Sequence, residues 1–252
     1  MPLASCLSLL ATLMPLDLVL QNPAIWRGDQ YAKVAIESVP TGFVELDTQL
    51  PGGGWPQAAL TELLTNQRGI GELRLLAPAL VRLSHAEKWV VLIAPPHLPY
   101  APGFESLGLN LARMVIVRTK SDAESLWAAE RCLRSGSCAA VLAWTGAGSQ
   151  QAMRRLQLAA EEGKGFGVVF GPTRNAALPS PAPLRIQLTA GREKLQLQII
   201  KRRGGGWAPP LSLDVNCSQR NRTERTAAVI PGIHATLTRP SPRLHRLSQG
   251  LT

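Results

Sequence analysis

Apolar residues along this chain fall into short runs broken by polar, Pro- and Gly-rich punctuation, and the period inside each run predicts its element. Leu73, Leu76, Leu80 and Leu83 recur at helical spacing, which predicts an amphipathic helix over 72–87. Five largely apolar stretches of strand length (58–64, 89–94, 114–118, 139–144 and 165–170) are expected strands, and 89–94, a continuous apolar run bounded by Pro95-Pro96, has the pattern of a strand buried in a parallel sheet. Ser121 and Glu124 have capping-box spacing and open a helix ending near Gly136, with Leu126, Ala129 and Leu133 inward. Ser149 caps another helix, which carries Met153, Leu156 and Ala160 and ends at Gly163. The runs 184–188 and 195–199 alternate apolar and polar residues around Gly191, which predicts an antiparallel hairpin.

The punctuation is read the same way. Residues 16–36 are expected to form a short helix and then a loop around Trp26-Arg27-Gly28. Thr41 is the expected N-cap of a helical turn leading to Asp47, with Glu45 in its first turn. The stretch 51–56, with three glycines and two prolines, is expected to be entirely loop. A short helix is expected within 102–111, and 172–183 is a Pro/Ala loop that contains Arg174. Strands alternating with helices and closing on a hairpin define an α/β fold. Its sheet is mostly parallel, flanked by helices, and ends in a C-terminal antiparallel hairpin.

Composition adds ends to this core. The 252 residues are 45% hydrophobic and 17% charged with 20 prolines, enough for one domain plus tails. The expected division is an extension with a short helix over 1–36, a core over 37–215 and a basic disordered tail over 216–252. Net charge is +10, and six arginines follow Val215 against one acid, Glu224. That excess suits nucleic acid or an acidic protein partner as well as it suits a solvated tail. Cys6, Cys132, Cys138 and Cys217 lack C-x-x-C spacing, and His85, His97, His234 and His245 are scattered. No metal is expected, and a reducing cytoplasm is. Residues 1–20 are apolar but hold Pro15 and Asp17, lack a positive n-region and are short for a membrane span. Either they form a weak signal peptide, or Met14 is the start and 1–13 an upstream extension.

The chemistry concentrates in Thr65-Asn66-Gln67-Arg68-Gly69-Ile70-Gly71-Glu72. An apolar strand enters a glycine-containing turn and a leucine-rich helix leaves it, the setting of a P-loop, where backbone N–H groups cradle phosphates. The motif needs Gly, four residues, then Gly-Lys-Ser/Thr. Aligned without gaps, those positions hold Thr65, Ile70, Gly71 and Glu72, so a carboxylate stands where an ammonium would meet phosphate. No hydroxyl remains for Mg²⁺, and no cofactor is expected. Elsewhere, Lys201-Arg202-Arg203 beside Trp207 would pair phosphate contacts with a stacking ring, or serve strand-end solubility. Trp144 is either a partner anchor or core packing. His97, between prolines, lacks the companions of a catalytic set. Arg154 and Arg155 read as a solvated helix face.

Several segments carry a family resemblance. Residues 40–47 (Pro-Thr-Gly-Phe-Val-Glu-Leu-Asp), the Gly52-Gly53-Gly54-Trp55-Pro56 turn and the following strand resemble the beginning of the RecA ATPase core. Residues 149–156 and 167–174 are similar to later RecA segments. The stretches 50–56, 69–76 and 161–165 together resemble the ImuA family of RecA-like translesion-synthesis accessory factors over about 20–215. The SulA division inhibitors are related over roughly 60–175. The resemblance implies a RecA-like, P-loop-type core without its ATPase. Ala94-Pro95-Pro96-His97 stands where the RecA catalytic glutamate belongs, Trp144 where an acid would serve Mg²⁺, and Glu72 where the lysine belongs. The DNA loops of RecA are trimmed here to 145–148 and 171–183. The function implied by the resemblance is that of a non-enzymatic adaptor in SOS-induced mutagenesis. Its partners would be an ImuB-like polymerase homologue and an error-prone polymerase, with RecA and DNA as further candidates and no membrane. Candidate partner or DNA contacts are Arg174, Lys201, Arg202, Arg203 and Trp207. The alternatives are a DNA-binding module using the basic C-terminal segments and a SulA-like division inhibitor.

Overall fold

The computed structural model describes residues 37–216 except 147 and 205. The expectations for 1–36, including the start at Met14, and for the basic tail beyond 216 lie outside the described residues.

A two-strand ribbon comes first, β1 (Ser38–Val39) against β2 (Trp55–Pro56), with α1 (Val44–Asp47) between them. Eight further strands make one sheet: β3 (Ala59–Leu64), β4 (Trp89–Ile93), β5 (Met114–Val117), β6 (Cys138–Trp144), β7 (Phe166–Gly171), β8 (Leu184–Ala190), β9 (Leu195–Lys201) and β10 (Leu211–Leu213). Their order is β10-β9-β8-β3-β7-β6-β4-β5. From β8 to β5 every pairing is parallel; β9 and β10 add antiparallel pairings at one edge. The first strand of the expected hairpin therefore joins the parallel core beside β3, and the antiparallel part begins one strand later.

Helices cover both faces. On one, α2 (Glu72–Ser84) buries Leu75, Leu76, Ala79 and Leu80 against Leu63, Leu92, Leu142 and Phe166, and Trp55 joins the same core. On the other, α4 (Asp122–Arg134) and α5 (Gln150–Gly163) bury Leu133, Leu156 and Ala160 against Leu60, Val91, Val141 and Val169. A shorter α3 (Ala101–Ser106) buries Phe104 and is followed by a 3-10 turn at Leu111–Arg113. Alternation along β3 sends Leu63 to the first core and Leu60 to the second, as a two-faced parallel strand requires.

The caps of the two long helices on the second face are where the sequence places them. Ser121 Oγ accepts from Glu124 N–H at 3.2 Å, and Glu124 answers by accepting from Lys120 N–H at 2.8 Å. Ser149 Oγ accepts from Ala152 N–H. Four local expectations need correction. Residues 51–56 are not all loop: Val39 pairs with Trp55, and the ribbon is short enough for Pro56 to sit in it without breaking a ladder. Thr41 is not the N-cap of α1, a place taken by Phe43. Buried Thr41 instead accepts from Phe43 N–H and gives its own N–H to Asp47 Oδ1, closing the turn from inside. The inner stripe of α2 is rotated, with Leu73 and Leu83 only half buried, because α2 lies deep enough to bury a broader face. That helix stops at Ser84, whose hydroxyl donates to Val81 O and accepts Asn110 N–H.

Candidate functional site

In an open parallel sheet, ligand chemistry collects outside the carboxyl ends of the strands. Here a cleft of about 520 Å³ occupies that position, lined by Thr65, Arg68, Glu72, Lys120, Trp144 and Arg174 among others. Its floor is the loop between β3 and α2. Gly69 and Gly71 hold φ of +70° and +104°, values open to glycine, and Gly71 is the N-cap of α2. These two glycines turn their N–H groups toward one point. The buried carboxylate of Glu72 fills it: Oε1 accepts from Gly69 N–H at 3.0 Å and Oε2 from Gly71 N–H at 3.1 Å. The residue expected to be a misplaced charge is the loop's internal ligand.

The rest of the loop is tethered. Thr65 Oγ1 accepts from Gln67 N–H at 3.0 Å. Asn66 Oδ1 accepts from Thr173 N–H at 3.0 Å, and Gln67 Oε1 accepts from Ala190 N–H at 2.9 Å. The side chains of Asn66 and Gln67 thus hold the 3-10 turn after β7 (Thr173–Ala177) and the end of β8. Arg68 is exposed, and Ile70 packs against the α2-side core.

On the cleft's other wall, Trp144 stacks on Phe170 with ring centroids 4.4 Å apart and 9° between planes. The ring is half buried, so core packing and cleft lining coexist in it. Gly146, just beyond, is held by Asp122, whose Oδ2 accepts its N–H at 3.0 Å, and by Arg174, which donates to its carbonyl at 3.3 Å. The loop at 94–97 contributes Ala94 and Pro96 to the cleft, and His97 is exposed. Among the described residues, no group of three or more His, Cys, Asp or Glu is placed to hold a metal ion.

Sequence reasoning missed the buried pair Glu62 and Arg185. They lie opposite each other on β3 and β8, at 4% and 5% exposure, with Arg185 Nε donating to Glu62 Oε2 at 3.0 Å. Arg185 also donates to the carbonyls of Asn175, Ala176 and Leu178, while Ser180 Oγ donates to Glu62. The pair therefore fastens the whole loop after β7 to the sheet. A single acid inside the apolar run 59–64 was the available signal.

Arg174 and the Lys201–Trp207 candidates do not meet. Arg174 lies at the carboxyl ends of the strands, whereas Arg202 and Arg203 line a different cavity of about 320 Å³ at their amino ends, with Ala59 and Leu184. Lys201 Nζ donates to Ser180 O at 2.7 Å; Arg202 donates to the carbonyls of Gln49 and Trp207. Arg203 and Trp207 face solvent, Trp207 at 78% exposure.

Two electrostatic features lie on the α4/α5 side. Burial raises the carboxyl of Glu130, but hydrogen bonds from Arg155 and Arg134 outweigh it and hold it below the usual carboxylate value. The thiol of Cys138 is lowered to about 7, chiefly by the neighbouring thiol of Cys132, against burial and helped by Ser135 and the charge of Lys88. The same pairing raises Cys132.

Fold and site together define an α/β protein, mostly parallel, whose strand–loop–helix turn binds its own carboxylate. A family model for the cell division inhibitor SulA matches residues 59–167. Protein ImuA of Caulobacter vibrioides is 31% identical across 66% of this chain and 80% of that protein. The cell division inhibitor SulA of Klebsiella aerogenes is 32% identical across 42% of this chain and 63% of its own length. The crystal structure of SulA from Pseudomonas aeruginosa aligns with 44% of this chain and 97% of that one, at 30% identity and a TM-score of 0.39. The chain belongs to the ImuA family. That membership ties it to SOS-induced mutagenesis, and the ImuA and SulA families are non-catalytic regulators. Among the described residues no helix is long and apolar enough to cross a membrane.

Proposed function

We propose that this chain is a non-catalytic cytoplasmic adaptor with a RecA-like core. In SOS-induced translesion synthesis it bridges an ImuB-like polymerase homologue and an error-prone polymerase. The observation that carries the reading is the Glu72 carboxylate on the N–H groups of Gly69 and Gly71, where a P-loop would receive phosphate. A bound nucleotide would have to displace a buried, doubly hydrogen-bonded anion and then meet its charge. The neighbouring positions agree. Ala94 and Pro96 line the cleft where the resemblance calls for a catalytic glutamate, and Trp144 is stacked on Phe170 where it calls for a metal-binding acid. With the phosphate lysine, the catalytic glutamate and the metal-binding acid each replaced at the position the resemblance assigns it, this reading gives the remaining role to surface.

Purified protein is expected to show no Mg-ATP-dependent rise in Tm, because only a ligand that prefers the native state raises it. Clear stabilisation by Mg-ATP overturns the non-catalytic reading. The match to the SulA family model over 59–167 favours a second reading, a division inhibitor. Filamentation on overexpression supports that reading; normal division removes it.

A further inference from the structure

The geometry points to Glu72 as a built-in phosphate surrogate: an intramolecular anion that holds the loop between β3 and α2 closed around it and, through that loop, locks the turn after β7 and the end of β8. This rests on the non-catalytic reading and says what took the place of the nucleotide.

Gly69 and Gly71 form the cradle. Both adopt positive φ and direct two N–H groups at one site, at the amino end of the 13-residue helix α2. Such a site binds anions, and an anion is present in it. Glu72, 7% exposed, places one oxygen on each N–H. Among the described residues no lysine or arginine pairs with this carboxylate, so the backbone donors and the helix end carry its charge, as they would a phosphate oxygen. An ordinary helix cap would satisfy the donors and stop there. This one sits on a loop whose earlier residues, Asn66 and Gln67, accept the N–H groups of Thr173 and Ala190. Cradle and tethers are consecutive on one short stretch of chain, so the bonds of residues 66–72 tie two distant segments to the cradle. An anion that came and went would make that stretch a switch, whereas a tethered anion holds it in one position.

The test uses the full chain carrying Glu72→Ala and, as a second variant kinder to the helix start, Glu72→Ser. Inorganic phosphate and pyrophosphate are compared with sodium chloride at matched ionic strength. Both variants are expected to lose several degrees of Tm and to gain amide exchange at Gly69, Gly71, Thr173 and Ala190. About 10 mM pyrophosphate should restore at least half of the lost Tm and the protection at all four amides, while moving the wild type by less than about one degree. Three results overturn the proposal. They are variants that phosphate and pyrophosphate leave unrescued, which makes Glu72 a cap; unchanged exchange at Thr173 and Ala190, which breaks the relay; and equal stabilisation of the wild type. Each can occur while the wild type still ignores Mg-ATP, so failure here is separable from failure of the non-catalytic reading.

Discussion

Arg185 spends all three guanidinium nitrogens on one loop and one carboxylate, and its acceptors Glu62, Asn175 and Ala176 are buried or half buried. Removing Arg185 leaves the buried Glu62 carboxylate without its counter-charge and with only the Ser180 hydroxyl to bond it. Arg185→Met is expected to cost about 3–5 kcal/mol by urea denaturation, and adding Glu62→Leu should recover much of it, since a buried pair is worth little beyond an apolar replacement. A loss under about 1 kcal/mol for the single variant would contradict this account of the loop. Cys138 offers a pH-dependent counterpart. Its thiol, lowered to about 7 from an ordinary 9.0, contributes stability that is present above 9 and is lost as pH falls through about 7. Cys132, raised by the same pairing, opposes it above 9. The fall in Tm as pH drops through neutrality should therefore be shallower in Cys132→Ala than in the wild type. An equal fall in both would deny the coupling of the two thiols. At this scale the sequence reveals misfits and not their solutions. Glu72 in a lysine position and Glu62 in an apolar strand are both visible. That one folds back on its own loop and the other meets Arg185 depends on backbone turns and strand neighbours that periodicity does not encode.

Helices α4 and α5 meet most closely at their carboxyl ends. A Cβ built on Gly163 would lie 1.8 Å from the carbonyl oxygen of Leu133, so backbone touches backbone there. Around that contact, Glu130 of α4 accepts from Arg155 of α5 at 2.8 Å, and Arg134 donates to Glu162 at 2.9 Å. Gly163→Ala must push the helices apart and is expected to cost about 1–3 kcal/mol in chemical denaturation, with Arg134 and Glu162 no longer paired. An unchanged midpoint would mean the two helices separate without cost. These helices were legible because long, periodic segments with caps have few competing readings, and the five strands because short apolar runs are set off by polar, Pro- and Gly-rich punctuation. The elements that were not legible are short. β1 and β2 have two residues each and β10 three, too few to show a period, and they exist because the sheet edge and the Trp55 core offer partners. Thr41 reads as a cap by residue type, yet the structure turns it inward toward Phe43, a choice that burial makes.

At the scale of the whole molecule, the described residues form a sheet with helices on both faces, a cleft at the strands' carboxyl ends and basic residues divided between the two ends. The separation of Arg174 from Arg203 and Trp207 argues against one continuous nucleic-acid track across these candidates. ImuA membership supplies the family, and Glu72 occupies the N–H groups that a P-loop would offer to phosphate. Family likeness was readable from the turn at 50–56 and the loop at 69–76. The self-bound carboxylate was not, because motif comparison registers a missing lysine without registering what fills the vacated cradle.

The most direct measurement is equilibrium binding of the purified chain to a purified ImuB-like polymerase homologue. It is made with and without Mg-ATP, using both the full chain and a truncation after Asn216. The account predicts binding whose strength is the same with nucleotide and without it, retained by the truncation if the folded core carries the interface and lost if the basic tail does. Binding that requires or is altered by Mg-ATP, or no binding by the full chain under either condition, would contradict it.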